Sequence, residues 1–188
     1  MRDDRVRWDQ KHERGVETLE GPPVAYLVAW LPFLPRGRAL DLAAGSGRHA
    51  IYLAQHGYRV DALDISLVGL ARLRQQARAQ ALPVRAAAVD LDECLLSSAT
   101  YDLIVNTYYL NRFILPQLPW ALVPGGALLV ETPLYDPRTD RPGEIARRVG
   151  PGELARVFSN LDIAHYEEVP ARPPQRNHGV CRMVAFRS

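Results

Sequence analysis

The sequence predicts an α/β fold: a mostly parallel seven-stranded sheet flanked by helices and closed by a C-terminal antiparallel hairpin. Three observations predict it. Apolar runs of strand length alternate with helical segments along most of the chain, the pattern of a parallel sheet with right-handed crossovers. The run Arg38-Ala39-Leu40-Asp41-Leu42-Ala43 leads through Gly45 and Gly47 straight into a helical segment. Residues 162–169 and 179–186 both read as strands, with no room for a helix between them, so they pair antiparallel.

In chain order, residues 5–20 read as an N-terminal helical segment weakened by Gly15. Residues 24–31 form an apolar helix, started by Pro22-Pro23 and stopped by Pro32. Pro35-Arg36-Gly37 turns into strand one, residues 38–43. The helix at 48–56 ends at Gly57, a left-handed cap. Strand two is 58–64. Ser66 caps the following helix, whose Leu70, Leu73 and Ala77 share a face, and Pro83 stops it. Strand three is 84–89, residues 92–98 make one short helical turn, and strand four is 101–107. A Pro-broken helical stretch covers 109–121, and strand five is 126–132, with Glu131 at its end facing the site. Residues 133–148, rich in Pro, Arg and Asp, read as a long loop of the kind that is functional in compact domains. A helix follows at 152–160, and a Pro-rich turn at 170–178 joins the last two strands.

Composition narrows the function classes. At 188 residues the chain suits one domain with a full core, and 47% hydrophobic content is that of a globular protein. It holds no uncharged apolar run long enough to span a membrane. Met1-Arg2-Asp3-Asp4-Arg5 lacks the apolar core of a signal peptide, so the expectation is a cytoplasmic protein. Net charge is +2, and all 23 basic residues except Lys11 are arginine. No stretch concentrates them, so nucleic acid is not an expected partner. Cys94 and Cys181 read as reduced thiols. His12, His49, His56, His165 and His178 show no metal-ligand spacing with them, and no metal is expected.

The chemistry concentrates at the first strand–turn–helix. Such a turn presents bare backbone N–H groups and a positive helix end to a ligand. Gly45-x-Gly47-x-x-Ala50 also satisfies a dinucleotide fingerprint, and Asp41 separates the two readings. A carboxylate beside the turn repels a pyrophosphate. It suits S-adenosylmethionine, whose sulfonium and ammonium are cationic and whose single carboxylate suits the turn amides. Asp64 closes strand two, where a carboxylate accepts from both ribose hydroxyls.

These residues resemble a known family. Ala39-Leu40-Asp41-Leu42-Ala43-Ala44-Gly45-Ser46-Gly47-Arg48 looks like motif I of class I S-adenosylmethionine-dependent methyltransferases. Ala62-Leu63-Asp64-Ile65-Ser66, Ala88-Val89-Asp90-Leu91, Tyr101-Asp102-Leu103-Ile104-Val105-Asn106 and the Leu122 to Val130 segment match later motifs in family order. Ala43 stands where many members carry the first glycine of the turn, an exchange that costs little unless φ is positive there. The resemblance implies a Rossmann-like three-layer sandwich: one methyltransferase domain over 1–188, with residues 1–36 a helical lid segment and 37–188 the core.

It implies that Asp41 holds the cationic methionine end and that Gly45 and Gly47 allow close backbone approach. Asp64 takes the ribose, Asp90 and Leu91 the adenine, and Asn106 the ammonium through its carbonyl, with Ile65 also among the cofactor-binding residues. Asp90 has a second reading, as a turn cap. On the acceptor side stand Trp8, His12, Tyr108, Tyr109 and Arg112. Arg7-Trp8-Asp9-Gln10-Lys11-His12 and Tyr109-Leu110-Asn111-Arg112 resemble stretches of the tellurite-resistance and thiopurine-type methyltransferases, in which the first segment folds over the cofactor. Asn106-Thr107-Tyr108-Tyr109 lacks the Pro-Pro of enzymes that methylate nucleic-acid amines. No His–carboxylate pair presents itself near the strand ends; a thiolate needs none, whereas an alcohol or amide acceptor needs a base. The expected reaction is methyl transfer to a small molecule, with a thiol or chalcogen anion favoured and an oxygen or nitrogen acceptor open. A non-catalytic cofactor-binding protein and a nicotinamide-dependent oxidoreductase are the alternatives.

Overall fold

A computed structural model describes residues 2–15, 21–138, 140–172 and 178–188. Seven strands form one sheet: β1 (Arg38–Leu42), β2 (Arg59–Asp64), β3 (Val84–Ala88), β4 (Tyr101–Thr107), β5 (Leu122–Leu134), β6 (Asp162–Val169) and β7 (Gly179–Phe186). Their order is β3-β2-β1-β4-β5-β7-β6. The first five pair in parallel, and β7 lies antiparallel to both β5 and β6. The expected hairpin is there. Its connection falls partly on residues 173–177, outside the described residues.

The inner strands β1 and β4 are apolar on both faces because helices cover both. On one face, Ala39, Leu103, Val105 and Leu129 pack with α2 (Ala25–Trp30), α3 (Arg48–Gln55) and α4 (Leu67–Ala79). On the other, Leu40, Ile104, Leu128 and Met183 pack with α5 (Leu118–Ala121) and α6 (Glu153–Val157). The result is three layers. Among the described residues no helix is long and apolar enough to cross a membrane.

Helix signals work where a cap or a glycine supplies them. Ser66 accepts from Gly69 N at 3.1 Å at the start of α4, and Leu70, Leu73 and Ala77 form its buried face. Gly57 takes φ 90 after α3. Four expectations are corrected. The N-terminal helix, α1, is Arg2–Glu13, and residues 16–20 lie outside the described residues. Residues 92–98 form no helix beyond a turn at 91–93, because Gln117 holds Leu96 N and Cys94 O in an open segment. In 109–121 only Leu115–Gln117 and Leu118–Ala121 are helical, since Pro116 and Pro119 each withhold an N–H. The stretch 133–148 is not one loop. Its first two residues extend β5, and Pro142–Arg147 is a 3-10 helix.

Candidate active site

The carboxyl ends of β1, β2 and β4 converge on the turn between β1 and α3, the position where ligands bind in sheets of this topology. Ala43, Gly45 and Gly47 adopt φ 54, 55 and 87. Glycine is required at Gly47, where a Cβ would overlap the Leu73 side chain. Ala43 pays for its positive φ, so the departure from glycine is not free.

Asp64 holds this turn in place. Its Oδ2 accepts from Gly45 N at 2.7 Å and its Oδ1 from Ser66 N at 2.7 Å. Burial pushes its carboxyl up, while those amides and His12 pull it back. Each oxygen keeps a further lone pair. Ile65 is half-buried between Asp64 and Ser66.

Asp41 and Asn106 are the orphans of the site. Each is 1% exposed, and none of their side-chain oxygen or nitrogen atoms has a well-formed hydrogen bond among the described residues. A buried polar group without a partner costs free energy, so such a pair marks a place where a ligand supplies partners. Burial raises the Asp41 carboxyl to about 7; the Ala50 amide and Arg48 offset part of that, and Asp64 adds to it. These atoms fit a cationic group.

His49 is the residue the sequence did not reveal. Its Nδ1 lies 4.0 Å from Asp41 Oδ1 and 3.2 Å from Thr107 Oγ1, and its Nε2 faces Val24 N at 3.4 Å. Burial lowers its imidazole to about 3, so it is neutral. The pair forms because the turn carries α3 back over the end of β1, a juxtaposition that residue spacing does not announce.

Asp90 has the turn role: its Oδ1 accepts from Asp92 N at 3.0 Å. Leu91 is buried, and its carbonyl faces Asn111 Nδ2 at 3.4 Å. Asn111 also meets Tyr109 Oη at 3.1 Å and caps Phe113 N at 2.7 Å. Burial pushes the Tyr109 phenol up to about 12.

The N-terminal helix packs over the turn. His12 Nδ1 is 3.0 Å from Ser46 Oγ, and its ring edge lies where a Cβ on Gly45 would be 3.0 Å away. Asp9 Oδ1 accepts from Ser66 Oγ at 2.7 Å and Val68 N at 3.1 Å. Trp8 is half-buried under Lys11, whose Nζ is 4.1 Å from the ring centre.

Tyr108, at φ 56, donates from its phenol to Glu131 Oε1 at 2.8 Å. Glu131 also accepts from Arg182 Nε at 2.7 Å, and Arg182 continues to Glu167 at 2.8 Å. Glu131 is therefore a committed carboxylate and not a free group facing the site. Arg112 is engaged by Glu153. Its Nε and Nη2 grip Glu153 at 2.6 and 2.9 Å, and it faces the carbonyls of Ile145, Ala146 and Arg148 at 3.2–3.4 Å. Among the described residues no group of His, Cys, Asp and Glu is arranged to hold a metal ion.

Known proteins resemble this arrangement. Residues 39–125 match the family model of a methyltransferase domain. Hemagglutinin 1 of Eikenella corrodens is 27% identical over 154 residues, with 73% of this chain and 51% of that protein covered. Among solved structures, TehB from Haemophilus influenzae superposes with a TM-score of 0.76 at 21% identity, over 88% of this chain and 63% of that one. An S-adenosylmethionine dependent methyltransferase from Mesorhizobium loti gives 0.69 at 21% identity, over 90% and 100%. The chain thus spans about half the length of hemagglutinin 1 and under two thirds of TehB. Residues 39–125 are thus similar to a methyltransferase domain, and the chain has the fold of TehB and of that Mesorhizobium loti protein.

Proposed function

We propose that this chain transfers the methyl group of S-adenosylmethionine to a small-molecule acceptor, with a thiolate or chalcogen anion favoured. The observation that carries the reading is the orphaned, buried Asp41 carboxylate beside a turn of three positive-φ residues. That combination suits a ligand with a cationic end and a carboxylate, and it opposes a pyrophosphate. In this reading Asp41 meets the cationic end, Ala43, Gly45 and Gly47 bring the backbone close, and Asp64 with Ile65 takes the ribose. Asp90 and Leu91 border the adenine, and Asn106 offers its carbonyl to the ammonium.

The bound cofactor supplies an electrophilic methyl group for in-line displacement. The protein's share is alignment and exclusion of water, and alignment is worth roughly 7–11 kcal/mol in favourable cases. His12 and Trp8 on α1 supply a cover, and Tyr108 and Tyr109 line the far side. The preference for a pre-ionised acceptor follows from the neighbouring groups. Glu131 is tied to Tyr108 and Arg182, His49 has both nitrogens engaged, and the Tyr108 phenol is pushed up to about 12. A soft anion needs no base.

Calorimetric titration with S-adenosylhomocysteine is the test. Binding by the wild type and its loss in Asp64→Ala are expected, followed by methyl transfer to a thiol or to selenite in an acceptor panel. Absence of binding to the wild type would sink the reading.

A further inference from the structure

Asp41 is 1% exposed, and among the described residues neither of its oxygens has a well-formed hydrogen bond. A carboxylate so placed is costly to ionise until something charged or donating meets it. Besides the Ala50 amide, the donor side chain set against it is His49, with Nδ1 at 4.0 Å, about 1 Å beyond hydrogen-bond range. The neighbours of His49 determine its tautomer. Nε2 faces the Val24 N–H at 3.4 Å and must accept. The ring hydrogen therefore sits on Nδ1, and it is directed at Thr107 Oγ1 at 3.2 Å. No ring nitrogen is left to take a second proton without giving up the Val24 contact.

The other charges around Asp41 oppose each other: Arg48 from α3 favours ionisation, and Asp64 from the end of β2 resists it. From β4 the Thr107 hydroxyl is the facing group, through His49. Any proton on Asp41 thus has no resting place on His49. What His49 offers is one N–H that two acceptors, Thr107 and Asp41, share by a small rotation of the ring.

We propose that His49 is a positioning residue for Asp41: its Nδ1–H turns from Thr107 to Asp41 when the cationic end of the cofactor arrives, and Asp41 releases one proton to solvent as the complex forms. The proposal rests on the reading of Asp41 as the group that meets that cation. The balance is simple. The carboxylic acid loses its proton, the carboxylate pairs with the ligand cation, and no proton is stored on the imidazole. Burial raises the Asp41 carboxyl and lowers the His49 imidazole, which agrees with this assignment.

The test is calorimetric titration of the full chain with S-adenosylhomocysteine, which shares the ammonium, in buffers of different ionisation enthalpy. The wild type is expected to release close to one proton per site at about pH 6 and almost none above about pH 8. In His49→Phe the low-pH edge of the release, which is set by Asp41 in the complex, is expected to move up by about one unit, with affinity near neutrality down roughly tenfold. His49→Gln keeps an N–H donor and is expected to recover most of both. A purely structural His49 would lower the melting temperature in His49→Phe and leave the release profile in place, which overturns the proposal. Ring-nitrogen NMR of the wild type is a second route should His49→Phe fail to fold. The neutral Nδ1–H tautomer is expected, and an Nε2–H tautomer or an imidazolium overturns it. Binding without proton release at about pH 6 defeats this proposal alone, whereas no binding to the wild type defeats the cofactor reading as well.

Discussion

Asp9 on α1 reaches the start of α4, where its Oδ1 accepts from Ser66 Oγ at 2.7 Å while Ser66 Oγ itself accepts from Gly69 N at 3.1 Å. One carboxylate thus extends a helix cap and fastens a separate helix across the glycine turn. Asp9→Ala is expected to leave the sheet folded and to free α1, costing about 1–3 kcal/mol of docking. Amide exchange over residues 2–13 should accelerate while that of β1 and β4 stays slow. Unchanged exchange in α1 would mean that His12 and Trp8 hold it without Asp9.

Ala43 at φ 54 invites the opposite substitution. An L-residue in the left-handed region costs about 1–2 kcal/mol, and the added freedom of glycine in the unfolded chain costs about 0.5–1 kcal/mol. Ala43→Gly is therefore expected to stabilise the protein by up to about 1 kcal/mol, a melting-temperature rise of about 2–4 °C. A fall in melting temperature would refute the strain.

Two buried groups set opposing pH slopes in the free protein. The Asp41 carboxyl is raised from 3.8 to about 7, so its stabilising contribution is complete below 3.8 and is lost as pH rises through 7. The His49 imidazole is lowered from 6.5 to about 3, so its contribution is complete above 6.5 and is lost as pH falls through 3. Between about 4 and 6.5 the two slopes cancel, because folding loads one proton and unloads another. Urea denaturation is expected to show this pair adding no net pH dependence there. In Asp41→Asn the His49 slope stands alone, and stability should climb with pH across the same window relative to wild type.

Arg112 grips Glu153 from a position that is 46% exposed, so solvent screening limits the pair to about 1 kcal/mol. Arg112→Ala is expected to loosen residues 145–148 in amide exchange and to leave S-adenosylhomocysteine affinity within about twofold. Arg112→Lys should not restore the loop, since an ammonium cannot make the two-pronged contact. A tenfold loss of affinity would return Arg112 to the binding machinery.

Much of this site was legible before the structure. Asp41, Gly45, Gly47 and Asp64 stand out because each answers a local demand, a positive φ or a carboxylate at a strand end, that sequence states directly. What escaped reading depends on where separate elements meet. His49 and Asp41 become neighbours only when α3 packs back on β1, and Arg112 finds Glu153 only when α6 docks beneath the residues 145–148. Its place at a strand end predicts that Glu131 faces the site. Tyr108, just past the end of β4, and Arg182 on β7 claim it first. β5 runs longer than expected because β7 pairs with it out to Leu134, and a strand's length is set as much by its partner as by its own residues.

The strand order has a consequence for how the molecule is made. β7 lies between β5 and β6, and among the described residues β6 has β7 as its sole neighbour in the sheet. During synthesis β6 leaves the ribosome before the strand it needs, and the open edge of β5 waits with it. Until residues 179–186 emerge, two backbone edges and the partners of Glu131 and Glu167 on Arg182 are missing together. A nascent chain stalled before β7 is thus expected to be sticky and protease-sensitive at its growing end, and to become resistant in a single step when that strand slots in.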